Sequence, residues 1–143
     1  MTPEGENRLI GHEGEVLHAY EDTEGLLTIG IGHLIDPKRG GGITQQISRL
    51  MFEEDINVAT VRARIAFSHW FDRLDPVRQD VIVMLVFNMG VEGVKKFKLM
   101  LAAIEAEDWS KAAYELWNSQ WRMQVGNKRA RDLTTALEKG SWG

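Results

Sequence analysis

The chain has 143 residues, 43% of them hydrophobic and 27% charged, with a formal net charge of −4 and no cysteine. That length supports a single domain, in one or two lobes, which buries about 68–70% of its unfolded surface and needs neither a disulfide nor a structural metal. No apolar run approaches the roughly 20 residues of a spanning helix, and the acid-rich first twenty residues exclude a signal-peptide core.

Thr2-Pro3-Glu4 predicts a helix start, with Thr2 as N-cap and Pro3 at the first helical position. Gly11 and Gly14 bracket its end and leave Glu13 at a helix terminus, a rigid place for a proton donor. His12 and His18 stand at i and i+6, whereas a zinc-protease pattern needs i and i+4, so no metal site is expected. Val16, Ala19 and Tyr20 predict a short strand, Asp22-Thr-Glu-Gly25 a turn, and Leu26-Leu-Thr-Ile29 a second strand. Asp22 then stands at the tip of a hairpin, and only a fold-back brings Thr28 near it.

Asp36-Pro37 and Gly40-Gly41-Gly42 read as a loop with no preferred conformation. Thr44 caps a long helix running to about Ala66, in which Ile47, Leu50, Met51, Val58, Val61 and Ile65 form the apolar stripe. At roughly 30 Å it is long enough to join two lobes. Asp75-Pro76 opens the most apolar helix, with Val77, Val81, Met84, Leu85 and Met89 on its core face and Gly90 at its close. Further helices are expected from Val94 to about Ala106, from an Asp108 cap to Trp117, and from about Asn127 to Lys139. The fold class is therefore α+β, mainly α.

Residues 1–94 carry 8 basic and 15 acidic side chains, and residues 95–143 carry 9 and 6. Arg122, Lys128, Arg129 and Arg131 form the basic peak, which reads either as a solvated helix face or as attraction to an anionic polymer. No nucleic-acid motif accompanies it. Of the five tryptophans, most are read as packing, and Trp117 is assigned to a cleft.

Two carboxylates at different places in one cleft suit glycoside hydrolysis, which needs a protonated acid for the leaving oxygen and an ionised group facing the developing positive charge. The acid belongs in the drier place. Glu13 follows the apolar pair Leu9-Ile10, whereas Asp22 sits among Glu21, Thr23 and Glu24, which favours Glu13 as acid and Asp22 as anion. Thr28 is placed to hold a water. Acidic hairpin turns are common, and the spacing by itself does not establish catalysis.

The run Glu13-Gly14, Tyr20-x-Asp22-Thr-x-Gly25, Leu27-Thr28-Ile-Gly-Ile-Gly-His33 resembles the catalytic signature of the phage-type lysozymes, the endolysins of glycoside hydrolase family 24. The resemblance spans nearly the whole chain and is densest at residues 13–33 and 85–97. It implies a two-lobed lysozyme-like fold with a small antiparallel sheet lobe, a long connecting helix and a helical C-terminal lobe. The lobes would be residues 14–60 and residues 1–13 plus 61–143, with the cleft between them.

The implied enzyme hydrolyses the β-1,4 linkage between N-acetylmuramic acid and N-acetylglucosamine in peptidoglycan, with inversion, and lyses a host cell. Glu13 would protonate the leaving oxygen, Asp22 would stabilise positive charge or help activate water, and Thr28 would position that water. Leu34, Phe87 and Glu115 would meet substrate, although a core role for Phe87 is the alternative. His33 paired with Asp55, Asn88 at the cleft-facing helix end, and Arg129 reaching Glu13 would support the site. Met100 and Glu115 stand where the family has small polar groups.

No cofactor or metal is implied, and neither nucleic acid nor stable membrane insertion. The resemblance implies a monomer made in the host bacterial cytoplasm, which reaches the wall once a separate membrane-permeabilising protein opens the way. A lytic transglycosylase and a catalytically inactive wall-binding module are the rival readings. The Asp22–Thr28 pair argues against the first, and the intact trio against the second.

Overall fold

Helix α1 (Pro3–Glu13) begins where the Thr2 hydroxyl accepts the Gly5 N–H at 3.2 Å, with Pro3 in its first turn. It ends at Gly14, whose φ of 72° suits a residue without a side chain and whose N–H donates to the Ile10 carbonyl at 2.8 Å. The computed structural model covers all 143 residues, and its contacts fall into two compact units, Met1–Leu50 and Met51–Gly143. In this division α1 groups with the sheet, and the break falls inside the long helix.

The first unit holds a three-stranded antiparallel sheet in the order β1 (Val16–Glu21), β2 (Leu27–Gly30), β3 (His33–Leu34). Thr28 on the central strand faces Tyr20 on one side and Leu34 on the other, and is buried. The two-residue third strand was not anticipated, because no alternation can be read over so short a run.

The expected formless loop after Ile35 is a correction. Asp36 is buried, with Oδ2 accepting the Leu27 N–H at 3.1 Å and Oδ1 the Lys38 N–H at 2.9 Å. The second bond caps a 3-10 turn over Pro37–Arg39. Gly41 then passes so near that a Cβ on it would stand 2.6 Å from the Asp36 nitrogen.

Helix α2 (Gln45–Ala66) starts as expected, with the Thr44 hydroxyl accepting the Ile47 N–H at 3.3 Å. Its sidedness is a second correction: Ile47, Leu50, Met51, Val58, Val61 and Ile65 are all exposed, and only Ala59 and Ala63 are buried. Small side chains let a helix approach its neighbours closely, and the larger apolar residues lie off that contact.

In the second unit, α3 (Pro76–Lys95) is capped by Asp75, whose Oδ1 accepts the Arg78 N–H at 3.0 Å. Gly90, at φ 72° and ψ 168°, breaks it where a close was predicted. Val81, Ile82, Leu85 and Val86 are buried, whereas Met84 is exposed against expectation, since the core face is one position out of step with that residue. Then come α4 (Lys98–Glu105), which starts later than predicted, α5 (Trp109–Trp117) behind its Asp108 cap, α6 (Gln120–Val125) and α7 (Asn127–Lys139). The six residues of α6 are too few to show a helical period, and it went unpredicted.

Arg78 ties this unit together. Its guanidinium donates to Asp75 Oδ2 at 2.7 Å and to the carbonyls of Leu137 and Glu138 at 2.8 and 2.6 Å, and lies 4.0 Å from the Trp109 ring centre. Seven helices and one small antiparallel sheet give the α+β, mainly α class that the sequence predicts.

Candidate active site

The last residue of α1, the turn after β1 and the middle of β2 converge. Glu13, Asp22 and Thr28 line one cavity of about 430 Å³ in the first unit, with Tyr20, Gly32 and Leu34 around them. The sequence brought these residues to one hairpin region, and the antiparallel fold-back supplies the proximity that linear spacing lacks.

Asp22 is half-buried and held by the turn it starts. Its Oδ1 accepts the N–H groups of Glu24 and Leu26 at 2.8 and 2.9 Å, and its own N–H donates to the Leu26 carbonyl at 2.9 Å. Both side-chain bonds fall on one oxygen, which leaves Oδ2 for a ligand. Thr28 donates its hydroxyl to the Leu26 carbonyl at 3.1 Å, so that the same oxygen remains an acceptor.

Glu13 is exposed, and Leu9 and Ile10 before it are exposed as well. The expectation that Glu13 sits drier than Asp22 is thereby reversed, because the apolar pair does not cover it. What confines the Glu13 carboxylate is Gly32: at φ 64°, a Cβ on that residue would stand 2.7 Å from Glu13 Oε2. A backbone with no side chain is what lets the acid lie over the hairpin.

Two residues escaped the sequence reading. Arg39 brings a cation to the cavity wall. Asp36 anchors the strand next to Thr28, and the N–H groups of Leu27 and Lys38 hold its carboxyl below the ordinary value of 3.8. Its signal was present, since an Asp followed by Pro is a capping pattern. Its second bond comes from the Leu27 N–H, nine positions away, which no local pattern reveals.

His33 places Nε2 2.5 Å from the Gly42 carbonyl, which can only accept, so that nitrogen carries a proton. Its expected partner Asp55 lies on α2 in the second unit. In that unit Phe87 is exposed, not core, and meets Phe52 edge-on at 6.2 Å. Asn88 accepts the Trp121 indole N–H at 2.9 Å through Oδ1.

Glu115 is half-buried and lines a cavity of about 670 Å³ with Lys98, Met100, Asn118 and Trp121. Arg129 borders another of about 630 Å³ with Lys128, Arg131 and Trp142. Trp117 lies under the Arg122 guanidinium at 4.6 Å. No helix is long and apolar enough to cross a membrane.

An acid, an anchored carboxylate and a hydroxyl in one cavity have the chemical means for proton transfer to one oxygen and charge stabilisation beside it. Comparison with known proteins adds an independent finding. Residues 10–138 match the phage lysozyme family. Probable T4-type lysozyme 1 of Dictyostelium discoideum is 36% identical over 154 aligned positions that cover 90% of each chain. Probable T4-type lysozyme 2 of the same organism is 34% identical with the same coverage. The pre-baseplate central spike protein Gp5 of Enterobacteria phage T4 is 32% identical over 83% of this chain and 25% of the spike protein.

Proposed function

The chain belongs to the phage lysozyme family and is a lysozyme-type peptidoglycan hydrolase, and from that premise we propose that it cleaves the β-1,4 bond between N-acetylmuramic acid and N-acetylglucosamine with inversion. The observation that carries the reading is the convergence of Glu13, Asp22 and Thr28 on one cavity.

Glu13 gives its proton to the glycosidic oxygen as the bond to the anomeric carbon breaks. Oδ2 of Asp22 faces the developing positive charge and takes a proton from the attacking water, whose other hydrogen is held by Thr28. Water enters opposite the departing sugar, and both carboxyl groups return to their starting states by exchange with solvent.

Leu34, Phe87 and Glu115 serve as substrate contacts in this reading, and His33, Asp55, Asn88 and Arg129 as supporting residues. The biological role is that of an endolysin. It acts as a monomer on the wall after a separate protein has permeabilised the membrane, and the product of its action is host lysis.

The test is clearing of a peptidoglycan suspension by the parent and by Glu13→Gln. The variant is expected to fall by about 10²–10⁴-fold. Equal clearing by both would sink the assignment. Product masses that sum to the parent strand plus one water, with the anomer read by NMR, fix the reaction, and an anhydro end would overturn hydrolysis.

A further inference from the structure

We propose that Arg39 is a specificity-determining residue, whose guanidinium takes a carboxylate of the peptide that muramic acid carries and so favours peptide-bearing wall strands over bare glycan. Arg39 lines the cavity of Glu13, Asp22 and Thr28 and is the one cation on its wall, where Glu24 adds a third carboxylate. The inference deepens the hydrolysis proposed above and rests on peptidoglycan being the substrate.

The backbone that carries Arg39 is fixed to β2. Arg39 is the last residue of the 3-10 turn Pro37–Arg39, and its N–H donates to the Asp36 carbonyl at 3.3 Å. That carbonyl also accepts the Gly41 N–H at 2.8 Å. The Asp36 N–H donates to the Leu27 carbonyl at 3.1 Å, and the Asp36 carboxylate accepts the Leu27 N–H at 3.1 Å. Leu27 precedes Thr28 on β2, so the turn and Thr28 share one anchor. Further on, the Gly42 N–H donates to the Leu34 carbonyl at 3.1 Å, and Leu34 is itself on the cavity wall. A ligand that meets Arg39 therefore has only side-chain freedom left to remove, because the backbone is already ordered.

The protein itself leaves the guanidinium free. Arg39 is exposed and takes part in no ion pair, although three carboxylates share its cavity. Lys38, next to it in the turn, is exposed too but does not line the cavity. The substrate supplies the partner. The sugar backbone of a wall strand is uncharged, and its carboxylates lie on the peptide joined to muramic acid through the lactyl group. Such a strand brings negative charge to a cavity that already holds three carboxylates, and like charges at close range oppose its entry. A guanidinium offsets that repulsion, and its planar fork of N–H donors pairs with a carboxylate through two parallel bonds. An uncharged strand gains nothing from it.

The test measures binding of soluble wall fragments to the full chain carrying Glu13→Gln, with the fragments in two forms, native and with the peptide carboxylates converted to primary amides. Adding Arg39→Gln should raise Kd for the native fragment about tenfold and leave that for the amidated one unchanged. Arg39→Lys, which keeps the charge but not the fork, should fall between. In the otherwise unaltered protein, Arg39→Gln should raise KM for the native fragment with kcat kept, whereas Lys38→Gln should match the parent. A peptide-free strand, in which the lactyl carboxylate is free, should inhibit the parent and Arg39→Gln equally. Weaker inhibition of the variant would move the contact to the lactyl group and overturn the peptide. Equal losses on both fragments, an equal effect of Lys38→Gln, or no change in Kd for the native fragment overturns the proposal, as does failure of that fragment to bind. Failure of the parent to cleave either fragment would sink the hydrolysis instead, and the binding measurement would still decide on Arg39.

Discussion

Gly32 and Glu13 meet so closely that any side chain at position 32 would displace the acid: a Cβ there would stand 2.7 Å from Oε2 and 3.1 Å from Cδ of Glu13. The φ of 64° at Gly32 adds backbone strain of about 1–3 kcal/mol for other residues. Gly32→Ala is therefore expected to lose wall clearing by about tenfold or more while far-UV circular dichroism stays that of the parent. Full activity in that variant would show that the acid need not lie over the hairpin.

Asp22 separates two jobs by its two oxygens. In Asp22→Asn the amide oxygen can still accept the N–H groups of Glu24 and Leu26, so the turn and the melting temperature should be kept. The charge is lost, and clearing should fall by about 10²-fold or more. Asp22→Ala should lose both. If Asp22→Asn clears wall as well as the parent, the carboxylate serves only the turn.

Asp36 makes the sheet unit sensitive to acid. Its carboxyl is held below the ordinary value by the N–H groups of Leu27 and Lys38, so its contribution is present above about pH 4 and is lost as pH falls through the lowered value. Asp75 behaves in the same sense: desolvation opposes ionisation, but the backbone and guanidinium of Arg78 outweigh it. The gap in melting temperature between parent and Asp36→Asn should be widest near neutrality and should close on acidification below that range. A gap independent of pH would remove Asp36 from the account.

Asn88 is the partner of a buried indole. Asn88 is itself exposed, so Asn88→Ala exchanges the acceptor of the Trp121 N–H for water, at a cost of about 0.5–1.5 kcal/mol. Chemical denaturation should show that loss as a lower midpoint with an unchanged slope. If stability is retained, Trp121 finds another acceptor.

Helix starts were readable because their causes lie within four residues: Thr2 with Gly5, Thr44 with Ile47, Asp75 with Arg78, and Asp108 with Lys111 each make the bond that the local pattern announces. The grouping of Glu13, Asp22 and Thr28 was readable from the hairpin. What could not be read depends on the other side of a contact. Ala59 and Ala63, not the bulky residues of α2, meet the core, because a helix face is chosen by fit as well as by hydrophobicity. Asp36 finds an N–H partner in Leu27, nine positions back, and Glu13 is exposed in spite of Leu9 and Ile10.

The guanidinium of Arg78 reaches carbonyls 59 and 60 positions further along the chain, at the final turn of the last helix. A chain growing on the ribosome has made Asp75 and Arg78 long before Leu137 and Glu138 exist. The clasp therefore closes late, and until then the start of α3 waits with its fork half empty. The start of α3 is thus locked only by residues made some sixty positions later, so the helical unit cannot be completed from its own N-terminal side.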